Sequence, residues 1–125
     1  MKSFMMRATA AGALMAATLS VSSVLAAGSG KLSPADIQAT FFTGQPFTAA
    51  TTSNLKFKMT FTADGKMKRQ PIGSGSHGEG TWKLSKDGFC TTWKGASDTC
   101  YTVVNAGNNK WSVLRGSTIM ATWSK

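Results

Sequence analysis

Apolar and polar positions along this chain fall into three regimes. Residues 8–25 form an apolar run rich in Ala, Ser and Thr that no charge interrupts, and Lys2 and Arg7 precede it. A positive start, an apolar centre and compact residues at Val24 and Ala26 predict a cleavable secretion signal over residues 1–26. The composition of the run and the lack of a basic stop-transfer segment behind it argue against a transmembrane anchor. A short helical regime follows. Ser33 suits an N-cap, Pro34 the first helical position, and Asp36 the place where a carboxylate answers the cap and the helix dipole. Gly44 supplies the stop, so a helix is predicted over residues 34–42, docked through Ile37 and Phe41.

The third regime has a period of two. Leu55, Phe57, Met59 and Phe61 alternate with Lys56, Lys58, Thr60 and Thr62, the pattern of a half-buried strand with a basic outer face. Ala63, Asp64 and Gly65 form a turn; a three-residue loop with Gly65 left-handed pairs Phe61 with Met67 and Thr60 with Lys68, keeping apolar residues on one face. A glycine-rich loop is predicted over residues 71–80. Further strands follow over 81–84, 89–94, 99–104, 110–115 and 118–124, separated by Gly, Asn, Asp and Ser, and an earlier one fits 47–51. The fold class is therefore mainly β. A short N-terminal helix packs on a small antiparallel up-and-down barrel or half-barrel of about eight strands, spanning residues 27–125. An outer-membrane barrel is disfavoured, because its strands need about nine to eleven residues with a lipid-facing apolar band, and here outward positions carry Lys.

Removing the leader leaves twelve basic and five acidic residues, a net charge of +7 with His77 neutral. That charge favours solubility and attraction to anionic partners without naming one. Cys90 and Cys100 are the only cysteines. In an exported chain they are expected to form one disulfide, and two thiols are too few for a structural zinc site. No metal or cofactor is expected.

Candidate chemistry is sparse. Gly73, Gly75 and Gly78 match the letters of the dinucleotide fingerprint, but strands flank both sides and no helix N-terminus is there to receive a pyrophosphate. His77 and Glu79 are the one imidazole–carboxylate pair, set in a loop too glycine-rich to hold an acid–base geometry. With one histidine and five scattered carboxylates in all, the chain is not expected to be an enzyme. Two groups remain as candidate ligand-binding residues. Lys56, Lys58, Lys66 and Lys68 would share the outer face of one hairpin, as an anion-docking face or as a solubilising face that blocks edge pairing. Trp82, Trp93, Trp111 and Trp123 fall on four strands, as core filling or as the lining of a pocket. No aromatics interleave with the lysines on that same face, which argues against single-stranded nucleic acid.

Gly80-Thr81-Trp82, Cys90-Thr91-Thr92-Trp93 and Cys100-Tyr101-Thr102-Val103 resemble an uncharacterised family of small exported alphaproteobacterial proteins, lipocalin-like or small-barrel in appearance. The resemblance runs from about Leu32 to the C-terminus. It implies a disulfide-clipped β domain outside the cytoplasm, periplasmic or secreted, and carries over no catalytic residue. The expected function is that of an exported, non-enzymatic binding module for an anionic or amphipathic ligand, not spanning the membrane once the signal is cleaved. The alternative is a protein-interaction role, such as inhibition of a secreted hydrolase or envelope assembly, with the glycine-rich loop as the contact.

Overall fold

The computed structural model describes residues 30–125. The predicted leader lies outside the described residues. Ser33 caps helix α1 (Pro34–Phe41), its hydroxyl accepting from the Asp36 amide at 3.1 Å. The helix ends at Phe42, and Gly44 (φ +87°) turns the chain into the sheet. Eight strands follow: β1 (Phe47–Thr51), β2 (Lys56–Phe61), β3 (Lys66–Ile72), β4 (Gly78–Leu84), β5 (Phe89–Trp93), β6 (Thr99–Gly107), β7 (Lys110–Arg115) and β8 (Thr118–Ser124). Each pairs antiparallel with the next, and β1 pairs with β8, so the barrel is closed. Closure removes every exposed sheet edge.

The register of the first hairpin follows from its alternation. Phe61 faces Met67 and Thr60 faces Lys68 across a loop that ends in Gly65 at φ +86°. Only that register keeps Phe57, Met59, Phe61 and Met67 buried while Lys56, Lys58, Lys66 and Lys68 stay exposed.

Helix α1 and the residue after it close one end of the barrel. Phe41 meets Phe47, Trp111 and Trp123 edge-on at ring-centre distances of 4.8–5.0 Å. Phe42 stacks on Phe61 at 4.5 Å and touches Trp82 and Phe89. Two adjacent rings thus reach opposite sides of the barrel wall, and Ile37 and Phe41 are wholly buried. Polar bonds hold the plug. Trp82 Nε1 donates to the Thr62 carbonyl oxygen at 2.8 Å, Gly44 N–H to Phe61 O at 2.8 Å, and Lys125 Nζ to Thr40 O at 2.6 Å.

The β5–β6 ladder is the shortest in the barrel, with only Phe89–Tyr101, Cys90–Cys100 and Thr91–Thr99 paired. A disulfide joins Cys90 to Cys100, directly opposite each other with Cα atoms 3.9 Å apart. Phe89 and Thr91 point inward, so the bridge lies on the outside of the wall and takes no core volume. Such a bridge is what an oxidising compartment permits.

The covalent clip therefore sits on the seam with the fewest ladder bonds. The Cys90→Ala/Cys100→Ala double variant is expected to lose roughly 2–3 kcal/mol of stability by the chain-entropy argument, a fall in Tm on the order of 10–20 °C. Native-state hydrogen exchange should show β5 and β6 amides losing protection before the rest. Uniform loss around the barrel would refute a weak seam.

Candidate functional site at the open end of the barrel

Helix α1 enters at the end where β1 begins. The β1–β2, β3–β4, β5–β6 and β7–β8 connections therefore all lie at the opposite end. No helix among the described residues covers that end. Between its mouth and the aromatic plug lies a cavity of about 200 Å³. Its wall includes Ala49, Phe57, Met59, Val113, Ala121 and Trp123, almost wholly apolar and drawn from inward positions of four neighbouring strands. Small residues make the room: Ala49 and Ala121 stand where the same strands carry Phe47 and Trp123 nearer the plug. Four of the five exposed large hydrophobics, Leu55, Ile72, Ile119 and Met120, lie at this end.

Four residues with polar groups also line the cavity: Thr51, Arg69, Thr91 and Tyr101. Arg69 follows Met67 on the inward side of β3, opposite Met59. Its guanidinium lies between two aromatic faces, 5.2 Å from the Phe57 ring centre and 4.8 Å from that of Trp93. The two cation–π contacts offset part of the cost of placing a charge there. Its Nε donates to the Ser76 carbonyl oxygen at 3.3 Å. No carboxylate among the described residues pairs with it; the two ion pairs are Lys31–Asp87 and Lys83–Asp98. Thr91 on β5 is 4% exposed, and its Oγ1 finds no hydrogen-bond partner among the described residues.

The glycine-rich segment is built around this guanidinium. β3 runs on through Ile72 and β4 starts at Gly78, so the connection covers only 73–77, shorter than the 71–80 expected. Pro71 fits within β3 because the β3–β4 ladder stops at Arg69–Gly78, leaving that side of the strand without a bond for proline to break. A Cβ on Gly78 would stand 2.9 Å from Arg69 Nε and 3.3 Å from Trp93 Cζ3. One on Gly75 would stand 3.1 Å from the Phe57 ring. These glycines let the backbone close over the Phe57–Arg69–Trp93 stack, a task a flexible connector would not require.

The residues singled out from sequence divide between three places. Trp93 and Trp123 line the cavity. Trp82 and Trp111 pack against Phe42 and Phe41 in the plug. Lys56, Lys58, Lys66 and Lys68 lie on the outer face, and none lines the cavity. They are spread rather than stacked: Lys56 faces Ile72, Lys58 faces Gln70 and Lys68 faces Glu79. His77 and Glu79 are exposed, on the loop and on the outer face of β4. Arg69 was missed because it reads as part of a basic run, Lys66-Met67-Lys68-Arg69. The Phe61–Met67 register places it inward, since the same pairing two steps on sets Arg69 against Met59.

Asp98, in the β5–β6 connection, accepts from the Thr92 hydroxyl and is ion-paired with Lys83 at 3.4 Å. The Thr92 hydrogen bond first, and Lys83 second, hold its carboxyl below the ordinary 3.8. Asp64, bonded by Thr62 in the β2–β3 turn, is lowered likewise. No protein-family model, curated protein or solved structure matches the chain.

Two outcomes are expected. A folded value below the unfolded one means that Asp98 contributes stability above about pH 3.8 and loses it as pH falls through the folded value. Thr92→Val should move the Asp98 midpoint, followed by carboxyl NMR, up towards 3.8, and an unmoved midpoint would refute the role of the hydroxyl. Thr91→Val removes a buried hydroxyl that has no partner among the described residues. It should raise stability by roughly 1–3 kcal/mol in denaturant titration, whereas a loss would mean that the hydroxyl is satisfied within the fold.

Proposed function

We propose that this protein is an exported binding module that takes one small, largely apolar ligand into the open end of its barrel. The observation that carries this reading is the asymmetry of the interior. One end is filled by Phe41 and Phe42, while the other keeps a cavity of about 200 Å³ lined by apolar side chains. A natural core of this size closes such a space with larger residues, because each void costs dispersion contacts. Ala49 and Ala121 leave it open.

The volume sets the scale of the ligand. An engineered apolar cavity of about 150 Å³ holds benzene, so this one takes a single ring or a short alkyl chain, with more of the molecule emerging through the mouth. An eight-stranded barrel has room for one such guest. The signal-like leader and the disulfide support a periplasmic or secreted location. The interior holds no facing acid–base pair, which supports binding rather than turnover.

Titration with neutral 1-octanol tests the reading. Indole N–H signals of Trp93 and Trp123 should shift saturably in two-dimensional NMR, while those of Trp82 and Trp111 stay nearly still. Ala121→Phe should fill the cavity and abolish the shifts, with at most roughly 1–3 kcal/mol of overpacking cost. Absence of saturable shifts with both octanol and octanoate would overturn the reading.

A further inference from the structure

We infer that the ligand is an amphipathic carboxylate, an acid with one ring or a short alkyl chain, whose head is held by Arg69 at the mouth. This rests on the reading of the cavity as a binding site and adds the chemistry of its ligand.

Arg69 occupies an inward position that the pattern of the barrel otherwise gives to apolar residues. Along β3 the inward set is Met67, Arg69 and Pro71, facing Phe61, Met59 and Phe57. A half-buried guanidinium at such a place costs stability unless its N–H groups and charge are answered. The protein answers only part of it. Nε is bonded to Ser76 O, the flat faces meet Phe57 and Trp93, and no carboxylate among the described residues comes within ion-pair distance. The two Nη groups make no hydrogen bond to any described residue. Holding Nε and both faces fixes the plane of the guanidinium and leaves its outer N–H pairs for a planar acceptor. A carboxylate matches that fork in a bidentate fashion.

The arrangement is selective as well as attractive. The apolar wall recognises a tail, and the arginine stands where the tail ends and solvent begins. The charges around the mouth suit an anion: Lys56, Lys94 and Arg115 are exposed on the strand ends and connections of this end. Of the acidic groups nearby, Asp98 is paired with Lys83, and Glu79 lies on the outer face opposite Lys68. The outer lysines are not part of this site. None of them lines the cavity, although Lys58 and Lys68 border a separate groove on the outer face that Arg69, His77 and Glu79 also line.

Octanoate, 1-octanol and octylamine carry the same chain with an anionic, a neutral and a cationic head, and calorimetry with the Trp93 indole shift reads their binding. Octanoate should bind wild-type protein roughly ten-fold or more tighter than octanol, as expected for a charge-assisted hydrogen-bonded pair, with octylamine weakest. Arg69→Gln should bring octanoate down to the octanol level while octanol binding is unchanged, which also shows that the variant is folded. Arg69→Lys, keeping the charge without the fork, should fall between. Equal binding of octanoate and octanol by the wild type, or a preference that survives Arg69→Gln, would overturn the carboxylate assignment and leave the cavity reading standing. Binding of none of the three would overturn both.

Discussion

The wedge of Phe41 and Phe42 into one end of the barrel is the interaction on which the rest of this structure depends. A small closed barrel with eight inward-alternating strands must fill its own interior, and side chains from the wall alone fill it symmetrically. Here the filling is one-sided. The N-cap at Ser33 and the stop at Gly44 give the helix its length and direction, and that length sets both phenylalanines against Phe47, Phe61, Trp111 and Trp123. With the aromatic weight of the core concentrated there, the opposite end can be built from Ala49 and Ala121 without loss of the fold. Core and cavity are thus two parts of one distribution of side-chain volume.

The same economy governs the wall. Closure of β1 on β8 removes edges, yet the ladders are unequal, and the β5–β6 seam is short because both strands leave it early for the Asp98 connection. The disulfide reinforces that seam from outside, where it competes with no core residue. Had the cysteines stood one position along either strand, they would point into the barrel and occupy the volume now given to Phe89 or Thr91. Placement on the outer face keeps covalent stabilisation and cavity independent of each other.

Much of this was legible in the sequence. The helix signals, the period of two, the turn chemistry and the Gly65 register lead directly to the observed elements, because each is a local rule acting on residues close in the chain. Two things were not. The segment 71–80 reads as a connector, whereas Pro71 and Gly78 belong to strands. The reason is that the glycines answer to Phe57, Arg69 and Trp93, which are distant in sequence. Arg69 was masked by its neighbours Lys66 and Lys68, although alternation alone separates it from them. Composition counts charges, and only register tells which of them faces inward. The four tryptophans show the same limit. Their spacing places one on each of four strands, but only the plug decides that Trp82 and Trp111 pack within it, that Trp123 touches Phe41 on one side and the cavity on the other, and that Trp93 borders the cavity alone.

An inward arginine at the edge of an apolar cavity is a choice against stability. Methionine in that place would extend the Met59–Met67 surface and need neither Ser76 O nor a gap at Gly78. The chain instead surrounds the guanidinium with two aromatic faces and the side-chain-free backbone of Gly78, all at the end that helix α1 leaves uncovered. Four residues, Phe57 of β2, Ser76 of the β3–β4 connection, Gly78 of β4 and Trp93 of β5, converge on one side chain. Packing alone gives no reason for that convergence, since none of them gains burial from the charge. A local departure from the pattern that the rest of the barrel obeys, supported from several strands at once, is what the proposed binding site would cost the fold. The conflict between pattern and residue at Arg69 therefore supports the proposed site more directly than the size of the cavity does.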